Sequence, residues 1–480
     1  MSNAPTDAAY GKGIASHQPG DDGLPPHQRI PALWSVLLGT LLVVLDSSMM
    51  SVALPHMGAV LKVPAASSVW ISNAYQLVAA SLILSSAALA DRIGPSRLFA
   101  AGLVIFLVAS LGCALSSSFE ALVTWRCLQG IGAAFEMSLG PSLNRRIFPS
   151  RLLGSGIGMV AMIVALALAM GPTFGGVMLA IASWRWLFLI NLPIGGIALY
   201  MALRYLPRDP GNGHSFDFPG ALLSVVMLAA SVTGLGQLAH QGGSIAQPVA
   251  WLLVGALAAV LFIRRQFKAA HPLLPLSMFA EARFSLAALV SLLSFIAQTI
   301  TLFGLPFLLQ GDAGYSPLAS GLLFTPWPLM IMLVAPWAGR LADRMSAPTV
   351  ALAGLLLFSL GLLAMALLSG QSNVAAWDVL WRSALCGIGF ALFQSPNNRE
   401  LMGSVPREAS SRASGVQATV RTFAQSVGAA LLGLALASGV AATNSRLPVD
   451  VALWWAFIII VVALVISLAR AWVVRRRQVA

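Results

Sequence analysis

The stretch LWSVLLGTLLVVLDSSMMSVALP, residues 33–55, decides the fold. It is apolar over a length that crosses a bilayer, which takes roughly 20 residues of helix. One carboxylate, Asp46, interrupts it. A charge at that depth costs several kcal/mol and is retained where it has a task and a partner. The partner the sequence offers is Arg126, the one basic residue well inside any other apolar run.

Composition extends that reading to the whole chain. Of its 480 residues 58% are hydrophobic and 9% charged, with a mean hydropathy of +0.84. Soluble domains carry about a quarter charged residues, and a soluble fold could not enclose this much apolar surface. The chain therefore reads as a polytopic membrane protein. Its net charge of +12 does not indicate nucleic acid. With the N-terminus inside, most of the 28 Lys and Arg fall at cytoplasmic tails, loops and helix ends, including Arg92, Arg97, Arg145, Arg146, Arg264, Arg265, Arg340, Arg344 and the run from Arg399 to Arg421. That is the positive-inside bias, and it sets both termini in the cytoplasm. Cys113, Cys127 and Cys386 lie in apolar runs without metal-ligand spacing, and no disulfide framework is expected.

Fourteen runs reach spanning length: 33–55, 70–90, 98–117, 121–143, 153–180, 187–206, 218–238, 249–267, 285–309, 320–341, 350–369, 379–399, 416–439 and 453–474. Leu89-Ala90-Asp91-Arg92 closes the second, and Leu341-Ala342-Asp343-Arg344 closes the tenth. A repeat of two six-helix halves, with an inserted pair between them, accounts for that spacing. Residues 1–30 read as a flexible cytoplasmic tail, 31–208 as an N-terminal six-helix bundle, 209–270 as an inserted two-helix segment, and 271–480 as a C-terminal six-helix bundle. The fold class is all-α.

Four local patterns carry a resemblance. Asp46 is followed eight residues later by Leu54-Pro55, then by Trp70 and Tyr75. Leu89-Ala90-Asp91-Arg92-Ile93-Gly94 leads to Arg97, and Gly339 precedes the second copy. Arg126-Cys127-Leu128-Gln129-Gly130 forms the third, and Gly171-Pro172-Thr173-Phe174-Gly175-Gly176 with Trp184 to Pro193 the fourth. Together they resemble the major facilitator superfamily, and within it the fourteen-span drug:proton antiporters of the EmrB/QacA type. The resemblance covers the chain after residue 30. It implies a major facilitator fold of fourteen transmembrane helices, proton coupling at the arginine of the third pattern, and export, since exporters of the superfamily usually carry the fourth.

The residues also have readings of their own. A buried carboxylate beside a cation can alternate between a paired anion and a neutral acid, so Asp46 and Arg126 suit proton coupling; a permanent structural ion pair is the plainer alternative. Glu136, which the resemblance does not explain, suits a second proton site or a cation-attracting wall, or else an interfacial pairing with Arg145 or Arg146. Asp91 and Arg92, with Asp343 and Arg344, suit a conformational gate, or simple loop solvation. Gly171, Pro172, Gly175 and Gly176 permit a kink and close helix packing. Gln129, Glu136, Gln298, Trp327, Phe393 and Gln394 are candidates for a substrate cavity.

The chain shows neither a nucleotide-binding loop nor paired metal ligands, so ATP-driven transport and enzymatic activity are not expected. The reading is a proton-coupled multidrug antiporter of the inner membrane, acting as a monomer on amphipathic, cationic compounds and needing no cofactor beyond the proton gradient. A dedicated exporter of one metabolite, siderophore or antibiotic is the alternative, ahead of a symporter or a non-transporting receptor.

Overall fold

The computed structural model describes residues 21–149, 152–207, 217–237, 245–269, 273–274, 276–368, 374–405, 410–438 and 448–479. Within this set the side chains of Asp91 and Asp343, two of the candidate gate residues, lie outside the description. So do residues 1–20 of the expected tail and most of the connector before the inserted pair.

The described chain is helical, and most of each of the fourteen apolar runs, as far as it is described, falls in a helix or a broken pair of helices. The N-terminal half holds α1 (Pro26–Val60), α2 (Ala65–Ser68), α3 (Trp70–Ile93), α4 (Pro95–Leu115), α5 (Phe119–Ile147), α6 (Leu153–Ile181), α7 (Trp186–Leu189) and α8 (Asn191–Tyr205). The segment read from the sequence as an inserted pair holds α9 (Phe218–Gln237) and α10 (Ala246–Lys268). The C-terminal half holds α11 (Ala282–Phe307), α12 (Pro317–Phe324), α13 (Pro326–Arg344), α14 (Ala347–Ala366), α15 (Ala376–Gly403), α16 (Ser410–Ser438) and α17 (Pro448–Val479). Among the described residues twelve helices are long and apolar enough to cross a membrane. Two long helices, α3 and α5, are not among them; α5 carries Arg126, Gln129 and Glu136 in its middle.

Local chemistry explains the ends and breaks. Ser118 and Ser316 cap α5 and α12, accepting hydrogen bonds from the amides of Ala121 and Ala319, both at 3.2 Å. Gly94, at φ 102°, turns the chain between α3 and α4 through a region that other residues avoid. Pro326 has no N–H to continue the ladder and separates α12 from α13. The end of α11 widens into a π turn, Leu308–Asp312, in which the Ala313 amide reaches the Leu308 carbonyl at 3.1 Å.

Helix α1 begins at Pro26, inside the segment read as tail. The Leu24 amide donates to the Ile147 carbonyl at 3.1 Å, and the buried Arg29 guanidinium donates to the Leu24 carbonyl at 2.9 Å.

Within the first half α1 packs on α6 and α8, and α5 on α3 and α4. Within the second, α11 packs on α16 and α17, and α15 on α13 and α14. Helices α9 and α10 pack on each other, and α9 also touches α3 and α16. The halves meet along α3 with α16 and α6 with α12 and α13. Among the described residues, three side-chain hydrogen bonds join them: Thr173 to Thr325, Gln310 to the Val52 carbonyl at 2.9 Å, and Ser426 to Asn73 at 2.7 Å. The first two sit toward the end of the bundle remote from the start of α1, whereas Ser426 lies midway along its span and meets Asn73 near the start of α3.

Candidate functional site

Asp46 and Arg126 meet. The Arg126 Nη1 donates to Asp46 Oδ2 at 2.6 Å, and both side chains are 0% exposed. The other carboxylate oxygen, Oδ1, accepts from Gln129 Nε2 at 3.1 Å and from Asn191 Nδ2 at 3.2 Å. Arg126 also donates from Nε to the Ile71 carbonyl at 2.9 Å and from Nη1 to Gln129 Oε1 at 2.6 Å. Ser110 Oγ completes the cluster, accepting from Gln129 at 2.9 Å and Asn191 at 3.3 Å. The Tyr75 ring lies 4.3 Å from the guanidinium carbon and the Phe188 ring 5.7 Å.

Five elements build this site. Helix α1 brings Asp46, the start of α3 brings the Ile71 carbonyl and Tyr75, and α4 brings Ser110. Helix α5 presents Arg126 and Gln129 three residues apart on one face, and Asn191 opens α8. Two polar atoms stay unmatched among the described residues, Arg126 Nη2 and Asn191 Oδ1. The Asp46 carboxylate is therefore engaged at both oxygens, while the buried guanidinium keeps one nitrogen, Nη2, without an acceptor among the described residues. The cluster can hold the pair as ions, and loss of the Asp46 charge would leave an arginine needing another acceptor.

The glycine-rich segment of α6 lies beside this site. A Cβ added at Gly171 would fall 2.2 Å from Ser48 Oγ, and one at Gly175 3.2 Å from the Met49 carbonyl oxygen. Both neighbours are on α1, two and three residues past Asp46. On its other side the segment meets the second half. A Cβ at Gly176 would lie 2.8 Å from the Pro317 carbonyl oxygen, and one at Gly321 2.4 Å from that of Pro172. One turn and a half of α6 thus touches the ion-pair helix and the opposing half at once.

Glu136 is elsewhere. It is 4% exposed, and neither carboxylate oxygen has a partner among the described residues. A Cβ at Gly39 would lie 2.9 Å from its Oε2, and one at Gly102 3.6 Å from its Cγ. The group is thus wedged between α1 and α4 inside the first half; it neither pairs with Arg145 or Arg146 nor lines an accessible wall. An ionised carboxylate in that setting costs several kcal/mol. Glu136→Gln, which keeps the shape and removes the charge, is expected to leave the thermal midpoint of the purified protein unchanged or raised. A clear fall would mean the carboxylate has a partner.

The other candidates separate. Gln129 belongs to the ion-pair cluster, not to a substrate surface. Trp327 is 0% exposed and Phe393 1%. They belong to one aromatic stack that runs from Phe324 through Trp327, Phe358 and Phe390 to Phe393 and serves the core of the second half. Gln298 is also buried, whereas Gln394 is partly exposed. Arg92 and Arg344 are exposed at corresponding ends of α3 and α13. Asn191 lay inside the quoted fourth pattern without being singled out, Ser110 had no signal beyond polarity, and the Ile71 carbonyl had none. Arg421, grouped above with the cytoplasmic helix ends, lies inside the apolar span Gly415–Ala437.

Comparisons agree with this architecture. The sequence profile of the Major Facilitator Superfamily matches residues 36–429. An uncharacterized transporter of Escherichia coli strain K12, YebQ, is 42% identical, over 86% of this chain and 91% of that one. The riboflavin transporter RibZ of Clostridioides difficile strain 630 is 30% identical, over 84% and 87%. The tetracenomycin C resistance and export protein of Streptomyces glaucescens is 31% identical, over 85% and 76%. A crystal structure of a POT family transporter with a thioalcohol-conjugated peptide superposes with a TM-score of 0.69 at 15% identity, covering 93% of this chain and 96% of that one. That likeness concerns the fold alone.

Proposed function

The chain belongs to the Major Facilitator Superfamily, a transporter family, and from that premise we propose that it exports amphipathic compounds in exchange for protons. The observation that carries the proposal is the sealed Asp46–Arg126 pair, joined through Ser48 and Met49 to the α6 segment that seats the second half. Protonation of Asp46 releases Arg126 from its ion pair. A change in α1 is felt at once by Gly171 and Gly175, whose opposite face packs on Pro317 and Gly321. Proton binding and the closure between the halves then share one element, as alternating access requires.

The same proposal gives the chain fourteen spans. Helices α3 and α5 run alongside spans that qualify by apolarity, and their polar side chains turn inward: Asn73, Gln76, Arg126, Gln129 and Glu136 are all buried. The positive-inside bias supports a cytoplasmic position for both termini in a bacterial-type inner membrane. The joined end of the halves then faces outward, and this conformation opens to the cytoplasm. A proton is worth about 2.3 kcal/mol per 100 mV, so one or two supply useful gradients without a cofactor.

Named relatives support an export reading and one more. The tetracenomycin C resistance and export protein favours efflux, and the riboflavin transporter RibZ favours a dedicated carrier of one compound. Neither Asp46 nor Glu136 is open to a ligand, so the two acids that suggested cationic substrates no longer do so. Everted vesicles energised by respiration test the proposal, with ethidium, methyl viologen, fluorescein and riboflavin added in turn. Dissipation of the acid interior by at least one compound, in vesicles with the protein and not in those without it, is the expected result. Response to riboflavin alone selects the dedicated carrier. No response to any compound counts against coupled export.

A further inference from the structure

Arg421 is a cation inside the membrane that no described residue neutralises. It lies six residues into the span Gly415–Ala437, roughly 9 Å along the helix from its start. Its side chain is partly exposed, and no hydrogen bond or ion pair engages it among the described residues. In the first half Asp46 is engaged by Arg126 and Glu136 is enclosed between α1 and α4, and in the second Arg382 pairs with Asp378 at 3.0 Å.

Its neighbours on α16 fix where it faces. Gln417 and Gln425 stand one turn before and after it, both partly exposed, so the three form one polar stripe. Gln417 is hydrogen-bonded to Asn398 of α15. Gly428, two turns beyond Arg421 on nearly the same face, would place a Cβ 2.9 Å from the Ile296 carbonyl oxygen of α11. The stripe therefore looks toward α11 and α15, into the C-terminal half, and not toward lipid. On α15, Gln394 and the same Asn398 form a second partly exposed pair one turn apart.

We propose that Arg421, flanked by Gln417, Gln425 and Asn398, binds an acidic group, a carboxylate or its equivalent, on the transported compound. A guanidinium offers a planar pair of donors that matches a carboxylate, and the amides supply further donors beside it. The amphipathic remainder of the compound would lie against the surrounding apolar helix faces. This deepens the export reading, because it fixes the charge of the substrate, and it rests on that reading only for the word transported.

Equilibrium binding to the purified full chain tests it without any proton gradient, so failure here leaves antiport standing and failure of antiport leaves this standing. Fluorescein and its methyl ester, which lacks the carboxylate, are titrated by fluorescence polarisation. Wild type is expected to bind the acid about tenfold or more tighter than the ester. Arg421→Gln should reduce that ratio to near one with elution profile and thermal midpoint retained, and Arg421→Lys should keep part of it. An unchanged ratio in Arg421→Gln overturns the proposal, as does a wild type that binds acid and ester alike or binds neither. The titration is repeated in nanodiscs with and without phosphatidylglycerol. Loss of fluorescein binding only where that lipid is present would show that Arg421 is the counter-ion of a headgroup, which also overturns it.

Discussion

Arg126→Gln is expected to be the most damaging single substitution in the chain. Removing one member of a buried pair strands the other, at about 3–5 kcal/mol. Interhelical hydrogen bonds in membranes average only about 0.6 kcal/mol each, so the bonds lost with Arg126 are the smaller effect. The stranded charge of Asp46 decides the outcome. Fluorescence-detected size exclusion and thermal unfolding should show a large fall in monodisperse yield and midpoint. Adding Asp46→Asn to the same chain should restore much of both, since the pair is then neutral on both sides. Equal damage in single and double variants would mean that Arg126 acts through its shape and its bond to the Ile71 carbonyl, not through the charge of Asp46.

Gly321→Val is expected to leave the fold intact and change which end of the bundle is closed. Its Cβ would fall 2.4 Å from the Pro172 carbonyl oxygen, a backbone atom that cannot rotate away. Overpacking of this kind costs about 1–3 kcal/mol, which moves a two-state equilibrium about 5–150-fold. The contact exists only where the two halves meet, so the penalty falls on this conformation and spares the one in which they part at that end. Val52 reports the change, being 0% exposed where Gln310 reaches its carbonyl. In a chain with its three natural cysteines replaced, Val52→Cys should be labelled by an impermeant maleimide faster when Gly321→Val is present. Coupled export should fall in parallel. Unchanged labelling would mean that the α6–α12 contact does not hold this state closed.

Much of this was legible in the sequence, for a reason that also marks its limit. Charges inside apolar runs are rare and costly, so Asp46 and Arg126 announced each other across 80 positions. Asn191 and Ser110 did not, because a neutral polar residue in a helix costs little and is common. Nothing in the pattern tells which one turns toward a buried carboxylate. Trp327 and Phe393 show the same ambiguity among aromatics: a ring at a helical position packs equally well in a core stack or at a cavity wall, and here both are in the stack. Glu136 was visible as an intramembrane acid, yet its seat between Gly39 and Gly102 depends on how closely α1 and α4 approach. Arg421 was hidden by a boundary. A span read as starting at 416 leaves an arginine at 421 looking like a snorkelling end residue, and only the placement of Gln417 and Gly428 turns it inward.

The central claim is that Asp46 carries the exchanged proton, and proton release by the purified protein tests it most directly. Wild type and Asp46→Asn are placed in weakly buffered detergent solution with a pH indicator, and a compound that dissipated the gradient in vesicles is added. Stoichiometric proton release from wild type, with none from Asp46→Asn at equal occupancy, is the result predicted. Equal release from both would contradict the account and leave the Asp46–Arg126 pair as a structural tie within the first half.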